Sequence, residues 1–210
     1  MFTVKDVKEI HCGSFMENCF LITPPEVDTC FLIDPGDSID MIERELLLSG
    51  RRLEAVLLTH GHFDHILAAF PLAAKHGVNV YLNPCDDEML LDPEKASYDP
   101  RLCRLPMPSS PITLDPGIQL ELCGQSISVL HTPGHSRGSV CYYCQDSGIV
   151  FTGDTLFRAG YGRTDLYGGS IQDLIRSLRY LLNNLPEDTV VYPGHDDNTR
   201  IGIEKRRYRL

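Results

Sequence analysis

Thr59-His60-Gly61-His62-Phe63-Asp64-His65 places three imidazoles and a carboxylate within six positions. Imidazole and carboxylate are the usual ligands of zinc and of other divalent first-row metals. The flanks belong to a chain that folds. Leu53-Glu54-Ala55-Val56-Leu57-Leu58 reads as a buried strand, and Ile66, Leu67, Phe70, Leu72, Ala73 and Ala74 recur at helical spacing after it. His60 and His62, two apart in the extended piece, project the same way. His65, one step past Asp64 at the helix start, aims elsewhere. One turn thus offers a His pair to one metal and an Asp-His pair to a neighbouring one. A solvated loop with several histidines would need no such flanks.

Neither pair fills a coordination shell, so other segments must contribute. His135 in His131-Thr132-Pro133-Gly134-His135, Asp154 in Gly153-Asp154-Thr155 and His195 in Pro193-Gly194-His195 each follow an apolar strand-like run and adjoin a glycine. The edge beyond the C-terminal ends of strands is where layered α/β proteins build their sites. Four strand ends repeating one pattern is unlike chance. His131 is read as a packed or hydrogen-bonded histidine, and His76 as a cation at a helix end. Asp34 in Asp34-Pro35-Gly36 is read as a turn aspartate, its alternative being an approach to the metals.

Working outward, 210 residues with 42% hydrophobic content suffice for one domain with a real core. A net charge of −10 argues against a nucleic-acid partner. The basic end Lys205-Arg206-Arg207-Tyr208-Arg209 is read as a solvated helix face. No apolar run approaches the roughly 20 residues needed to span a bilayer, and the start lacks the plan of a secretory signal. With eight scattered cysteines, several in strand-like runs, a cytoplasmic protein with reduced thiols is expected. Cys141 and Cys144 sit three apart in a strand and so face opposite sides, which argues against a disulfide between them.

Along the chain, strands are expected at Phe2 to Val4, Cys19 to Ile22 and Cys30 to Ile33, the last two as an antiparallel hairpin across Pro24 to Asp28. Ser38 or Asp37 should cap a helix carrying Ile39, Ile42, Leu46 and Leu47, stopped by Gly50. A strand at Val78 to Leu82 precedes the proline-rich, acidic residues 84 to 117, with a short helix near Asp86 to Leu91. This piece is long enough to be a lid over the site. Strands at 118–122, 126–130, 139–143 and 149–151 form a second group. The glycine-rich run from Leu156 to Asp165 reads as a rim loop, in which Arg163 either holds a substrate carboxylate or pairs with Asp165. Ser170 then caps an amphipathic helix through Ile171, Leu174, Ile175, Leu178, Leu181 and Leu182. The strand–helix order runs twice, which predicts two stacked sheets with helices outside.

These motifs, in this order and over nearly the whole chain, resemble the metallo-β-lactamase superfamily. That resemblance implies an α+β (α/β) fold, a four-layer αββα sandwich of two mixed β-sheets flanked by helices, over residues 1–210 as one domain. It also implies that His60, His62 and His135 hold a first metal, that Asp64, His65 and His195 hold a second, and that Asp154 bridges them. Within the superfamily, His131 to Val140, Gly153-Asp154-Thr155-Leu156-Phe157 and Thr199 to Lys205 resemble the type II glyoxalases (hydroxyacylglutathione hydrolases). The match is to the short bacterial subgroup, without the separate C-terminal helical domain that grips glutathione in longer enzymes. Arg163 occupies the place of a residue that binds the thiol's carboxylate. Asp197 stands where a tyrosine is expected two positions after the final ligand histidine.

The implied activity is hydrolysis of a thioester such as S-lactoylglutathione, a small-molecule substrate. The implied cofactor is two divalent metal ions per chain, zinc foremost and iron or manganese also suited. Asp64 and Asp154 are the catalytic carboxylates, both committed to metal. With no further general acid in view, a thiolate leaving group of pKa near 8.5 favours thioester over amide cleavage. The rival is a persulfide dioxygenase, which shares the fold and a similar Gly162-Arg163-Thr164-Asp165 segment. It uses a single iron at the equivalents of His60, His135 and Asp154. Length and the Thr199 to Lys205 segment favour hydrolysis. A non-catalytic metal-binding module, a lactamase and a nuclease fit less well.

Overall fold

The computed structural model describes residues 1–97, 99, 101, 111–114 and 117–208. One six-stranded sheet comes from the N-terminal half of the chain and a second from the C-terminal half. The first runs β1 (Val7–Cys12), β2 (Glu17–Ile22), β3 (Thr29–Ile33), β4 (Arg52–Leu57), β5 (Asn79–Leu82) and β6 (Ile112–Thr113) in spatial order. The second holds β7 (Gln119–Leu122), β8 (Gln125–His131), β9 (Val140–Cys144), β10 (Ile149–Gly153), β11 (Val190–Pro193) and β12 (Thr199–Arg200), also neighbour to neighbour. Both sheets are mixed: β3 to β6 are parallel and β10 pairs β11 in parallel, while the remaining ladders are antiparallel.

The central strands β2, β3, β9 and β10 are buried on both faces because both faces are covered. Phe20, Ile22, Phe31, Ile33 and Leu57 meet Ile127, Val129, Tyr142, Phe151 and Tyr192 between the sheets. The alternate residues Leu21, Leu32 and Val56 pack outward on α1 (Ile39–Ser49), α2 (Phe63–Ile66), α3 (Ala69–His76) and α4 (Asp87–Leu91). Cys141, Tyr143, Val150 and Val191 pack on α5 (Ile171–Asn184) and α6 (Ile201–Tyr208). The result is the expected αββα sandwich. Cys141 lies in the outer layer and Cys144 in the inner one, both as free thiols.

The first strand differs from expectation. Residues Val4–Asp6 form a 3-10 turn capped by Thr3, whose side chain accepts from Lys5 N. The strand begins at Val7, where the chain pairs with β2. Phe2 is apolar because it plugs the core between the sheets, not because it belongs to a strand. In α1, Leu47 is 82% exposed, so the inward stripe is Ile42 and Leu46, with Ile39 partly buried beside them. Ser38 occupies the cap position with φ 57° and makes no cap bond; its hydroxyl accepts from Gly13 N instead. The central part of the expected lid, residues 102–110, lies outside the described residues, as does Arg209 of the basic end. Within that end, Arg206 reaches Glu187 and Arg207 reaches Glu204.

Candidate metal centre

The expected ligands arrive from both sheets. The turn after β4 supplies His60, His62, Asp64 and His65; the turns after β8, β10 and β11 supply His135, Asp154 and His195. One donor atom from each of His60, His62 and His135 lies within 4.8 Å of the others, and the same holds for Asp64, His65 and His195. Asp154 stands between the two groups. Its Oδ1 is 3.4 Å from His65 Nε2, and its Oδ2 is 3.5 Å from His135 Nε2 and 3.8 Å from His195 Nε2. Asp64 Oδ2 is 3.5 Å from His195 Nε2.

Three of the five rings are turned by a partner behind them. Asp34 accepts from Thr59 N (2.7 Å), from Thr59 Oγ1 (2.6 Å) and from His65 Nδ1 (3.0 Å). Thr59 Oγ1, having given its proton to Asp34, accepts from His60 Nδ1 at 3.0 Å. His135 Nδ1 donates to the Arg163 carbonyl at 2.8 Å. These bonds fix the tautomers, so that the other ring nitrogens face the site unprotonated or exchangeable. Asn18 holds the last turn, donating through Nδ2 to the carbonyls of Pro193 and Asp196.

The donor set fits a pair of divalent cations. His60 Nε2, His62 Nε2, His65 Nε2 and Asp154 Oδ1 are buried without a hydrogen-bond partner among the described residues, a cost that coordination would relieve. His62 Nδ1 and His135 Nε2 face each other at 2.7 Å, which two lone pairs cannot do unless a proton or cation lies between. Burial, then the neighbouring His65 and His135, drive His60 well below the usual imidazole value. Burial and His135 push His62 down to about 3. Both rings are therefore neutral and ready to coordinate. Burial opposes the charge on His65, yet Asp154 and Asp64 outweigh it and raise its pKa. Burial likewise opposes ionisation of Asp154, but His65 and His135 hold it well below the carboxylate range.

The glycines beside the ligands are spatially required. A Cβ on Gly194 would sit 2.4 Å from Asp154 Oδ1, and one on Gly153 would sit 2.3 Å from Thr59 Oγ1, where the backbone also takes φ 46°.

Above the cluster opens a cavity of about 540 Å³. Phe15, Phe63, Phe157 and Leu166 give it apolar walls, and Arg163 stands at its rim. The Arg163 guanidinium pairs through two nitrogens with Asp165, at 2.7 and 2.6 Å, the second of its two expected roles. Asp197 is exposed and pairs with Arg158 at 2.6 Å. His131 Nε2 meets the Arg137 carbonyl at 3.0 Å and His76 meets Glu43, so neither joins the cluster.

Two contributors, Glu17 and Asp86, were not foreseen, and for Asp34 the alternative role near the metals applies. Asp34 is more than a turn residue: φ 48° ends the strand, and its carboxylate supports His65. Glu17 is fully buried with Oε1 3.8 Å from His65 Nδ1, and burial raises its pKa far above the usual value. A lone carboxylate opening the apolar strand Glu17–Ile22 was the available signal. Asp86, 1% exposed, bridges two ligand turns, with no local sequence signal beyond a turn.

The Metallo-beta-lactamase superfamily profile matches residues 12–195. An uncharacterized protein of Mycobacterium tuberculosis is 41% identical over 202 residues, 90% of each chain. The hydroxyacylglutathione hydrolase GloC of Haemophilus influenzae is 34% identical over 209 residues, 96% of this chain and 95% of that protein. Among solved structures, TTHA1623 in a di-iron-bound form superposes with a TM-score of 0.80 at 37% identity, covering 95% of this chain and 98% of that one.

Proposed function

The chain belongs to the metallo-beta-lactamase superfamily, and from that premise we propose that it is a metal-dependent hydrolase cleaving a thioester such as S-lactoylglutathione. Two divalent cations would be held by this chain, the first by His60, His62 and His135, the second by Asp64, His65 and His195, with Asp154 shared. Zinc is proposed first on the imidazole-rich donor set; iron is supported by the di-iron form of TTHA1623. The observation that carries the reading is Asp154 set between two groups of three donors, in a chain that matches GloC over nearly its full length.

When bound, the cations supply Lewis-acid activation of a water and of the substrate carbonyl. The chain's residues do the remaining work. Asp154 and Asp64, held ionised, balance the cationic charge. Asp34 and Thr59 lock the rings of His65 and His60 in one orientation. The apolar walls of Phe15, Phe63, Phe157 and Leu166 shield the acyl group from bulk water. Among the described cavity-lining groups, the carboxylates Asp64 and Asp154 belong to the cluster, which leaves no separate general acid. Hydrolysis adds water across the C–S bond, and a thiolate can leave without prior protonation. Residues 1–210 act as one domain in this reading. The seven free cysteines among the described residues suit a reducing cytoplasm, and no helix among those residues is long and apolar enough to cross a membrane.

The test is metal analysis of protein made in its own host, paired with a thioester assay. Two metals per chain with thiol release from S-lactoylglutathione is the expected result. One iron with oxygen uptake on glutathione persulfide overturns it in favour of a dioxygenase.

A further inference from the structure

Two buried carboxylates brace the donors, and one of them serves both groups. Asp34 lies behind His65 and, through Thr59, behind His60. Asp86, just before α4, lies on the other side. Its Oδ2 accepts from Gly61 N at 3.1 Å and from Ser136 Oγ at 2.6 Å, and its Oδ1 accepts from Gly138 N at 2.7 Å. Gly61 separates His60 from His62, and Ser136 follows His135. One carboxylate, 1% exposed, therefore pins the turn of the first sheet to the turn of the second where they meet over one donor trio.

The surrounding residue choices agree with a fixed clamp. A Cβ on Gly138 would lie 2.6 Å from the Asp86 carboxyl carbon, and one on Gly61 would lie 3.2 Å from Asp86 Cβ. Ser136 Oγ is also 2.7 Å from Ser139 Oγ, which accepts from Ser136 N. Three donors converge on one acceptor group, so an amide cannot replace it. In Asp86→Asn the new side-chain NH₂ would point at a backbone N–H, that of Gly138 in one flip and that of Gly61 in the other.

We propose that Asp86 is a positioning residue for the first metal alone, setting the spacing of His62 and His135 by tying Gly61 to Ser136 and Gly138. This rests on the two-metal reading above. Its removal is expected to spare the Asp64, His65 and His195 group, because the hydrogen bonds of Asp86 among the described residues go to Gly61, Ser136 and Gly138 and to none of those three.

The experiment is zinc titration against a competing chelator, with stoichiometry by mass spectrometry, on wild type, Asp86→Asn, His195→Ala, His135→Ala and the doubles of Asp86→Asn with each. Wild type is expected to bind two zinc ions, and Asp86→Asn one tightly and one about 10- to 100-fold more weakly. At a chelator level that strips the weak ion, D86N with H135A keeps one zinc and D86N with H195A keeps none. Should D86N not fold, Ser136→Ala removes one of the three donors and is expected to weaken the same ion by a smaller factor. Melting of the metal-free proteins separates a general loss of stability, which would not split the two affinities. Unchanged affinity at both positions, equal weakening of both, or loss of the other ion overturns the proposal. Wild type that binds no zinc and no other divalent cation overturns it together with the two-metal reading.

Discussion

Asp34 Oδ2 lies 3.0 Å from Nδ1 of His65 across 31 residues of sequence, with both side chains buried. The carboxylate fixes which ring nitrogen carries the proton and leaves Nε2 aimed at Asp154. Asp34→Asn keeps the shape and loses the charge. Metal affinity is expected to fall about 10- to 100-fold. Chelator competition checks it, and unchanged affinity would remove the orienting role.

His65 also sets a pH dependence. Its pKa in the metal-free fold is raised above the unfolded value by Asp154 and Asp64, against the effect of burial. That contribution to stability is complete below about pH 6.5 and is lost as pH rises through the folded value. A cation at Nε2 replaces the proton. Loading with zinc at pH 7 should therefore release about one proton from this ring. Calorimetry in buffers of different ionisation enthalpy reads the release directly. The melting temperature of the metal-free protein should fall toward alkaline pH, and the loaded protein should lack this component.

Arg163 is shared between Asp165 and the cavity rim. Arg163→Ala should raise KM several-fold for a thioester bearing a carboxylate and little for a neutral one. Asp165→Asn frees the guanidinium and should lower KM for the same acidic substrate. Equal effects on both substrates would assign the pair to loop structure only.

Tyr142 is buried between the sheets and donates to the Leu58 carbonyl at 2.6 Å, one residue before the ligand turn. Tyr142→Phe leaves that carbonyl without its side-chain donor and should cost about 1–2 kcal/mol. Denaturant unfolding of the metal-free protein measures it; a loss near zero would mean that Leu58 finds another partner.

The candidate ligand set was legible because local rules govern it. Strand, tight turn and helix put His60, His62, Asp64 and His65 on one edge, and glycine-flanked donors at three further strand ends repeated the arrangement. The two sheets followed from a strand–helix order that runs twice along the chain. Phe2 shows where such reading stops: its apolar side chain signals burial, but only the packing between sheets says that it is a plug and not a strand residue. Asp86 is the sharper case. Within its own segment it is a polar residue before a short helix. It becomes a clamp only because Gly61, Ser136 and Gly138, 25 to 52 residues away, deliver three donors to it. Sequence alone determined the sandwich and which side chains could bind metal, since periodicity and donor chemistry are properties of short stretches. Only the tertiary structure decided what braces them, since a buried carboxylate's partners come from whatever the fold brings within hydrogen-bond reach.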